Sequence, residues 1–141
     1  MGHSHYCVNK KTISKRMFGK IAKDCKTLCN KLDKTIQIRE SYENQTSKPI
    51  FNDTEILFNG VDDERHEDFW LTPEKGYSDC KTAMKPYDLL VMSSLIAFKV
   101  HAGSRIKVTS DGDFEEWKYA IEFVNDTLKV SVKFEDIVEK L

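Results

Sequence analysis

From Tyr87 to Val100 the chain reads YDLLVMSSLIAFKV, and apolar residues fall on every side of a helix drawn through it. A helix that is apolar around most of its circumference cannot lie on a surface and has to be enclosed. Pro86 suits the first helical turn, where its missing amide hydrogen would have had no partner, and Gly103 is a natural stop. The apolar run Leu89 to Val100 is about 12 residues, too short to cross a bilayer. Its cover must therefore be protein, supplied by the rest of the 141 residues. That length fits one globular domain, residues 1–141, with a modest core.

The covering elements are legible as periodicities. Thr12 to Leu32 predicts a helix whose stripe is Ile13, Met17, Phe18, Ile21, Ala22, Cys25, Leu28, Cys29 and Leu32, with lysines on the other face. Tyr6 and Val8 share one side of a short first strand, and His3 and His5 share a side likewise. Ile36 with Ile38, Thr54 to Gly60, Phe69 to Leu71 and Arg105 to Thr109 read as further strands. Asp113 with Glu116 has the form of a capping box for a helix to about Asn125, with Trp117, Ile121 and Val124 turned inward. Leu128, Val130, Val132 and Phe134 alternate strictly and predict a last strand, followed by a helical turn within Glu135 to Leu141. The order β-α-β-β-β-α-β-α-β predicts an α+β fold with a single mixed or antiparallel sheet and about three helices.

Composition removes several functions. The formal net charge is −1, without the positive excess of a duplex nucleic-acid binder. No partner membrane is expected, and no cofactor, because no phosphate-binding glycine loop, dinucleotide glycine pattern or serine elbow is present. Cys7, Cys25, Cys29 and Cys80 form no Cys-x-x-Cys pair and read as small apolar side chains of a reduced, cytoplasmic protein. Cys80 is the one cysteine with cations nearby, but no spacing brings a histidine to it.

Polar chemistry crowds the mouth of the enclosed helix. Lys81, Thr82, Lys85, Tyr87 and Asp88 stand where a helix start presents free amide hydrogens and a positive dipole end, an arrangement suited to a phosphate or carboxylate. A second polar turn, Thr109-Ser110-Asp111 before Gly112, lies between a strand and a helix and suits hydroxyl contacts. The plainer alternative for both is solvated lysines and helix capping. If the sheet sets the two turns side by side, they form one site, walled by His5, Tyr6 and Asn59. His3 and His5 could ligate a metal with His66 and Glu67, but the spacing matches no zinc pattern, so no metal is expected.

Several strings occur in order: the opening Met1-Gly2-His3-Ser4-His5-Tyr6, Phe58-Asn59-Gly60, His66-Glu67-Asp68-Phe69, Cys80-Lys81-Thr82-Ala83-Met84-Lys85-Pro86-Tyr87-Asp88, and Val108 through Asp113 to Trp117. This succession resembles a family of small uncharacterised proteins of tailed bacteriophages and bacterial mobile elements. The resemblance runs to about Val124; Thr109 stands where that family is expected to have serine, and the tail after Asn125 is more elaborate than the short glycine-containing ending expected there. It implies a shared polar site and an infected bacterial cell as setting. The leading expectation is a non-catalytic protein that sequesters a small anionic, nucleotide-like ligand, such as a host immune signal, in a homodimer. One alternative is a small phosphoesterase or nucleotide hydrolase using His3, His5, Glu67 and Asp88. Another is a virion accessory protein or an inhibitor of a host protein, binding through Phe69-Trp70.

Overall fold

A computed structural model describes residues 3–140, so Met1 and Gly2 of the opening string and Leu141 of the final turn lie outside the described residues. The chain begins with β1 (Ser4–Asn9) and α1 (Lys15–Lys31), which Ser14 caps by accepting the Met17 N–H at 3.1 Å. Four strands follow: β2 (Ile50–Phe51), β3 (Ile56–Phe58), β4 (Phe69–Leu71) and β5 (Gly76–Lys81). Then come α2 (Asp88–Ala102), β6 (Ile106–Ser110), α3 (Phe114–Leu128) and a short α4 (Phe134–Ile137). Single 3-10 turns lie at Asp62–Glu64 and Gly103–Arg105.

The fold is α+β, and α2 is its enclosed helix. It packs on α1, α3 and β6, and it buries Leu90, Val91, Leu95, Ile96, Ala97 and Phe98 together with Ser93 and Ser94. No helix among the described residues is long and apolar enough to cross a membrane.

The expected single sheet is two small antiparallel sheets, ordered β5-β1-β6 and β2-β3-β4. In the second, the Phe58 ring packs at a tilt against both Phe51 and Phe69. β5 was not anticipated, because Cys80 is its one buried residue and no apolar alternation marks it. Ile36 and Ile38 form no strand; one bridge between Arg39 and Asn59 stands nearby.

The expected last strand is absent for a local reason. α3 runs on to Leu128 and ends at Lys129 in the left-handed region, φ 59°. The Asn125 side chain then takes both backbone groups of Val132, at 3.0 Å each. Val138, not Val130 or Val132, reaches the free edge of β6 at Val108.

Because β1 is the middle strand, its two faces divide the molecule's polar chemistry. His5, Cys7 and Asn9 point to the interior, while Ser4, Tyr6 and Val8 point outward. Directly opposed residues of antiparallel strands share a face. The inner row beside His5 is therefore Cys80 and Ser110, and the outer row beside Tyr6 is Asp79 and Thr109.

Candidate functional site

The two polar turns do meet, and His5 is where they meet. Its Nε2 lies 2.7 Å from Asp88 Oδ1, at the first turn of α2, and its Nδ1 lies 2.7 Å from Ser110 Oγ, at the end of β6. The partners are 83 and 105 residues away in sequence. His3, His5, Asp88, Thr82 and Ser110 are all buried.

Donor counting fixes the protons. Ser110 Oγ accepts the Gly112 N–H at 2.8 Å and the Trp117 Nε1–H at 3.1 Å. A hydroxyl has two lone pairs and one hydrogen, so the Ser110 hydrogen is donated to His5 Nδ1. Nε2 then carries the imidazole proton and donates it to Asp88 Oδ1. Asp88 Oδ1 also accepts the Thr82 hydroxyl at 2.7 Å. Ser110, His5, Asp88 and Thr82 thus form one network of hydrogen bonds across the sheet's inner face, converging on the Asp88 carboxylate. It resembles a serine–histidine–aspartate relay in composition. Both lone pairs of Ser110 are occupied, however, which removes the nucleophile's attacking electrons.

His3 completes the cluster from the same face of β1. Its carbonyl accepts the Thr82 N–H at 2.9 Å. Its ring stands edge-on to His5, centroids 4.8 Å apart. Nε2 lies 3.5 Å from Asp88 Oδ2, and Nδ1 lies 3.6 Å from Glu116 Oε2. His3 Nε2 is buried and has no hydrogen-bond partner. One donor atom from each of His3, His5 and Asp88 falls within 4.8 Å of the others. The expected capping box of α3 is present, Asp113 and Glu116 exchanging side-chain to backbone bonds at 3.1 Å. Its Glu116 therefore has a second role facing His3. Gly112 is required by closeness: a Cβ there would stand 2.9 Å from His3 Cε1 and 3.3 Å from Ser110 Oγ.

The turn carrying Thr82 into α2 is strained. Lys85 N–H returns to the Thr82 carbonyl at 3.0 Å, which forces Ala83 and Met84 to φ values of 52° and 58°. Neither is glycine, and each left-handed residue with a Cβ costs about 1–2 kcal/mol.

The expected anion hollow is not what these turns make. The groups facing His3 and His5 are Asp88, Glu116 and Ser110, with no lysine among them in the described residues. Lys81 is exposed at the end of β5 and Lys85 is half-buried in the turn. Tyr87 offers no stacking face: it is 1% exposed and donates to the Glu67 carbonyl at 2.6 Å. Burial, with Cys80 and the Asp88 and Glu67 carboxylates adding to it, pushes its phenol far above the usual tyrosine range. Asn59 walls no site on β1, because its side chain organises its own turn, bonding His66 and Asp68 and receiving the Gly60 and His66 N–H groups. Cys80 is buried, and desolvation raises its thiol well above the ordinary range, the opposite of an activated nucleophile. Of the expected metal partners, His66 and Glu67 are replaced by Asp88. Phe69 is buried, whereas Trp70 is 56% exposed and donates to Glu55 at 2.9 Å.

The remaining expected residues lie on the sheet's outer face. There Ser4, Lys81 and Asp111 form one row, Tyr6, Asp79 and Thr109 the next, and Val8, Tyr77 and Lys107 the third. Asp111 accepts the Ser4 N–H and the Tyr6 hydroxyl, each at 3.0 Å, and Asp79 accepts the Tyr77 hydroxyl at 3.0 Å. Hydrogen bonding to Asp111, with some desolvation, raises the Tyr6 phenol. Tyr6, Val8, Tyr77, Lys107 and Thr109 line an open hollow of about 370 Å³. Tyr77 and Lys107 escaped the sequence reading because β5 did, and because Lys107 sits in a strand that reads as core. Trp117 and Glu116 were legible only as core and cap; nothing in the spacing ties them to His3 and His5.

No family model, curated protein or solved structure matches this chain.

Proposed function

We propose that this protein is a non-catalytic binder of a small, nucleotide-like anion, and that it binds on the outer face of β5-β1-β6. The observation that carries the reading is the open hollow lined by two phenol rings, Tyr6 and Tyr77, and the Lys107 ammonium, with Lys81 in the end row of the same face. Lys81 stands in the row of Ser4 and Lys107 in that of Val8. The rows are about 14 Å apart along the strands and the outer strands about 10 Å apart across them. That separation suits an extended ligand with two phosphates rather than a mononucleotide. The bases stack on the phenols and the phosphates reach the corner lysines. Tyr6 and Tyr77 are held by their own carboxylates, so little side-chain entropy is lost on binding.

The hollow is open, and a second copy of the chain facing the first would enclose the ligand, the basis for proposing a homodimer. The resemblance to phage and mobile-element proteins supplies the setting, in which sequestration removes a signalling nucleotide from an infected bacterial cytoplasm. The test is calorimetry against cyclic dinucleotides and ADP-ribose derivatives. A stacked base is worth about 1–3 kcal/mol, so Tyr77→Ala should weaken binding about 5- to 150-fold. Lys107→Ala should weaken it in a salt-dependent way. No heat with any of these ligands at high protein concentration would overturn the reading, as would binding that Tyr77→Ala and Lys107→Ala leave intact.

A second reading, a small phosphoesterase, is favoured by one observation: His3, His5 and Asp88 cluster. Ligand recovered unchanged after long incubation and denaturation excludes it; altered ligand supports it.

A further inference from the structure

We propose that His3, His5 and Asp88 form a binding site for one divalent first-row transition cation, with zinc as its representative. The proposal goes beyond the nucleotide reading and does not depend on it, since the cluster lies on the opposite face of the sheet. Two imidazoles and a carboxylate are a donor set that zinc and its neighbours accept.

Three observations converge. First, His3 Nε2 is buried without a partner, in a residue only 6% exposed. A buried imidazole nitrogen left without a bond is costly, and a metal would supply the missing partner. Second, its 3.5 Å distance to Asp88 Oδ2 suits a shared ion. Two ligands at about 2.0–2.1 Å from a tetrahedral zinc stand about 3.3–3.4 Å apart. Third, two of the ligands are hydrogen-bonded from behind, as metal ligands usually are, and the third faces a carboxylate. Glu116 faces His3 Nδ1 at 3.6 Å, Ser110 meets His5 Nδ1 at 2.7 Å, and Thr82 meets Asp88 Oδ1 at 2.7 Å.

Ligation has a definite consequence for the hydrogen-bond network. The metal takes the lone pair of His5 Nε2, so the imidazole proton moves from Nε2 to Nδ1 and is donated to Ser110. Ser110 Oγ would then face three N–H donors with two lone pairs, and its own hydrogen must turn away. The longest contact, Trp117 Nε1 at 3.1 Å, is the one released. Metal binding is thereby reported by an indole. No redox change or net bond cleavage is involved.

The test uses the full chain, freed of metal by a chelator and titrated with zinc alone and cobalt alone. The expected results are one equivalent bound, visible cobalt absorption of tetrahedral intensity, and a change in Trp117 emission in a Trp70→Phe background. His3→Gln should abolish all three while circular dichroism stays unchanged, because His3 Nε2 has no hydrogen bond to lose. Glu116→Gln keeps the capping geometry and should weaken binding roughly 10- to 100-fold. Absence of binding to the unsubstituted chain, or binding that His3→Gln leaves intact, would overturn the proposal.

Discussion

Substitutions at Asp88 separate a hydrogen-bond acceptor from a charge. Its Oδ1 accepts from His5 and Thr82, each at 2.7 Å, and its Oδ2 faces the partnerless His3 Nε2 at 3.5 Å. Asp88→Ala leaves the His5 N–H and the Thr82 hydroxyl without their acceptor. A buried orphan costs about 1–3 kcal/mol, and losing a carboxylate at a helix start costs a further 0.3–1 kcal/mol or so. Since Thr82 has a fallback in the His3 carbonyl, 3.4 Å from its hydroxyl, only the His5 N–H is fully orphaned and the total is about 1.5–4 kcal/mol. Asp88→Asn retains an oxygen for both donors and places an N–H₂ beside His3 Nε2. The weaker acceptor and the lost charge–dipole interaction cost about 1–2 kcal/mol. One new hydrogen bond to a buried acceptor and the relief of carboxylate desolvation offset them. The net effect is within about 1 kcal/mol of zero. Urea unfolding of chelator-treated protein, monitored by circular dichroism with unchanged slope, measures both variants. Equal destabilisation by Asn and Ala, or a loss above about 3 kcal/mol for Asn, would refute the proton assignment.

Other outcomes follow from single features. Met84→Gly should stabilise by about 0.5–1 kcal/mol, since relief of a left-handed Cβ outweighs the entropy that glycine adds to the unfolded chain; a midpoint that falls would contradict it. Gly112→Ala should destabilise by more than about 2 kcal/mol and alter the near-ultraviolet signal of Trp117, because the new Cβ meets His3 Cε1 at 2.9 Å. Burial pushes the Cys7 and Cys25 thiols up to about 12. Their folded values lie above the unfolded ones, so their contribution to stability is full below about pH 8.5 and is lost as pH rises toward 12. Across that window each thiol lowers stability by up to about 1.4 kcal/mol per pH unit. Unfolding midpoints that stay flat from pH 9 to 11 would contradict this, as would rapid alkylation of these thiols in the native protein.

How much of this was legible in the sequence depends on the range of the interaction. The enclosed α2, the stripe of α1 and the Asp113–Glu116 box are set within a few turns of chain and were readable. The end of α3 was misread because Leu128, Val130, Val132 and Phe134 alternate as a strand does; the side chain of Asn125, occupying Val132, decides otherwise. β5 carries its outward tyrosine, aspartate and lysine with one buried cysteine, so its pairing with β1 supplies the strand signal that its own pattern lacks. The polar mouth of α2 was recognisable as unusual, but its purpose was not. Thr82 and Asp88 serve His5, and the antiparallel pairing of β1 with β6 brings Ser110 from 105 residues away. The prominent lysines drew attention to an anion, whereas the inner groups are imidazoles and carboxylates. Register alone put His3 and His5 on the inner face and Tyr6 on the outer one.

The meeting of both turns at His5 is tested most directly by long-range proton–nitrogen correlation NMR of the imidazoles in metal-free protein. The expected spectrum shows one fixed His5 tautomer, with Nε2 protonated and Nδ1 accepting, and Ser110→Ala shifts Nδ1 while Asp88→Asn shifts Nε2. A His5 ring that averages between tautomers, or carries its proton on Nδ1, would contradict the account.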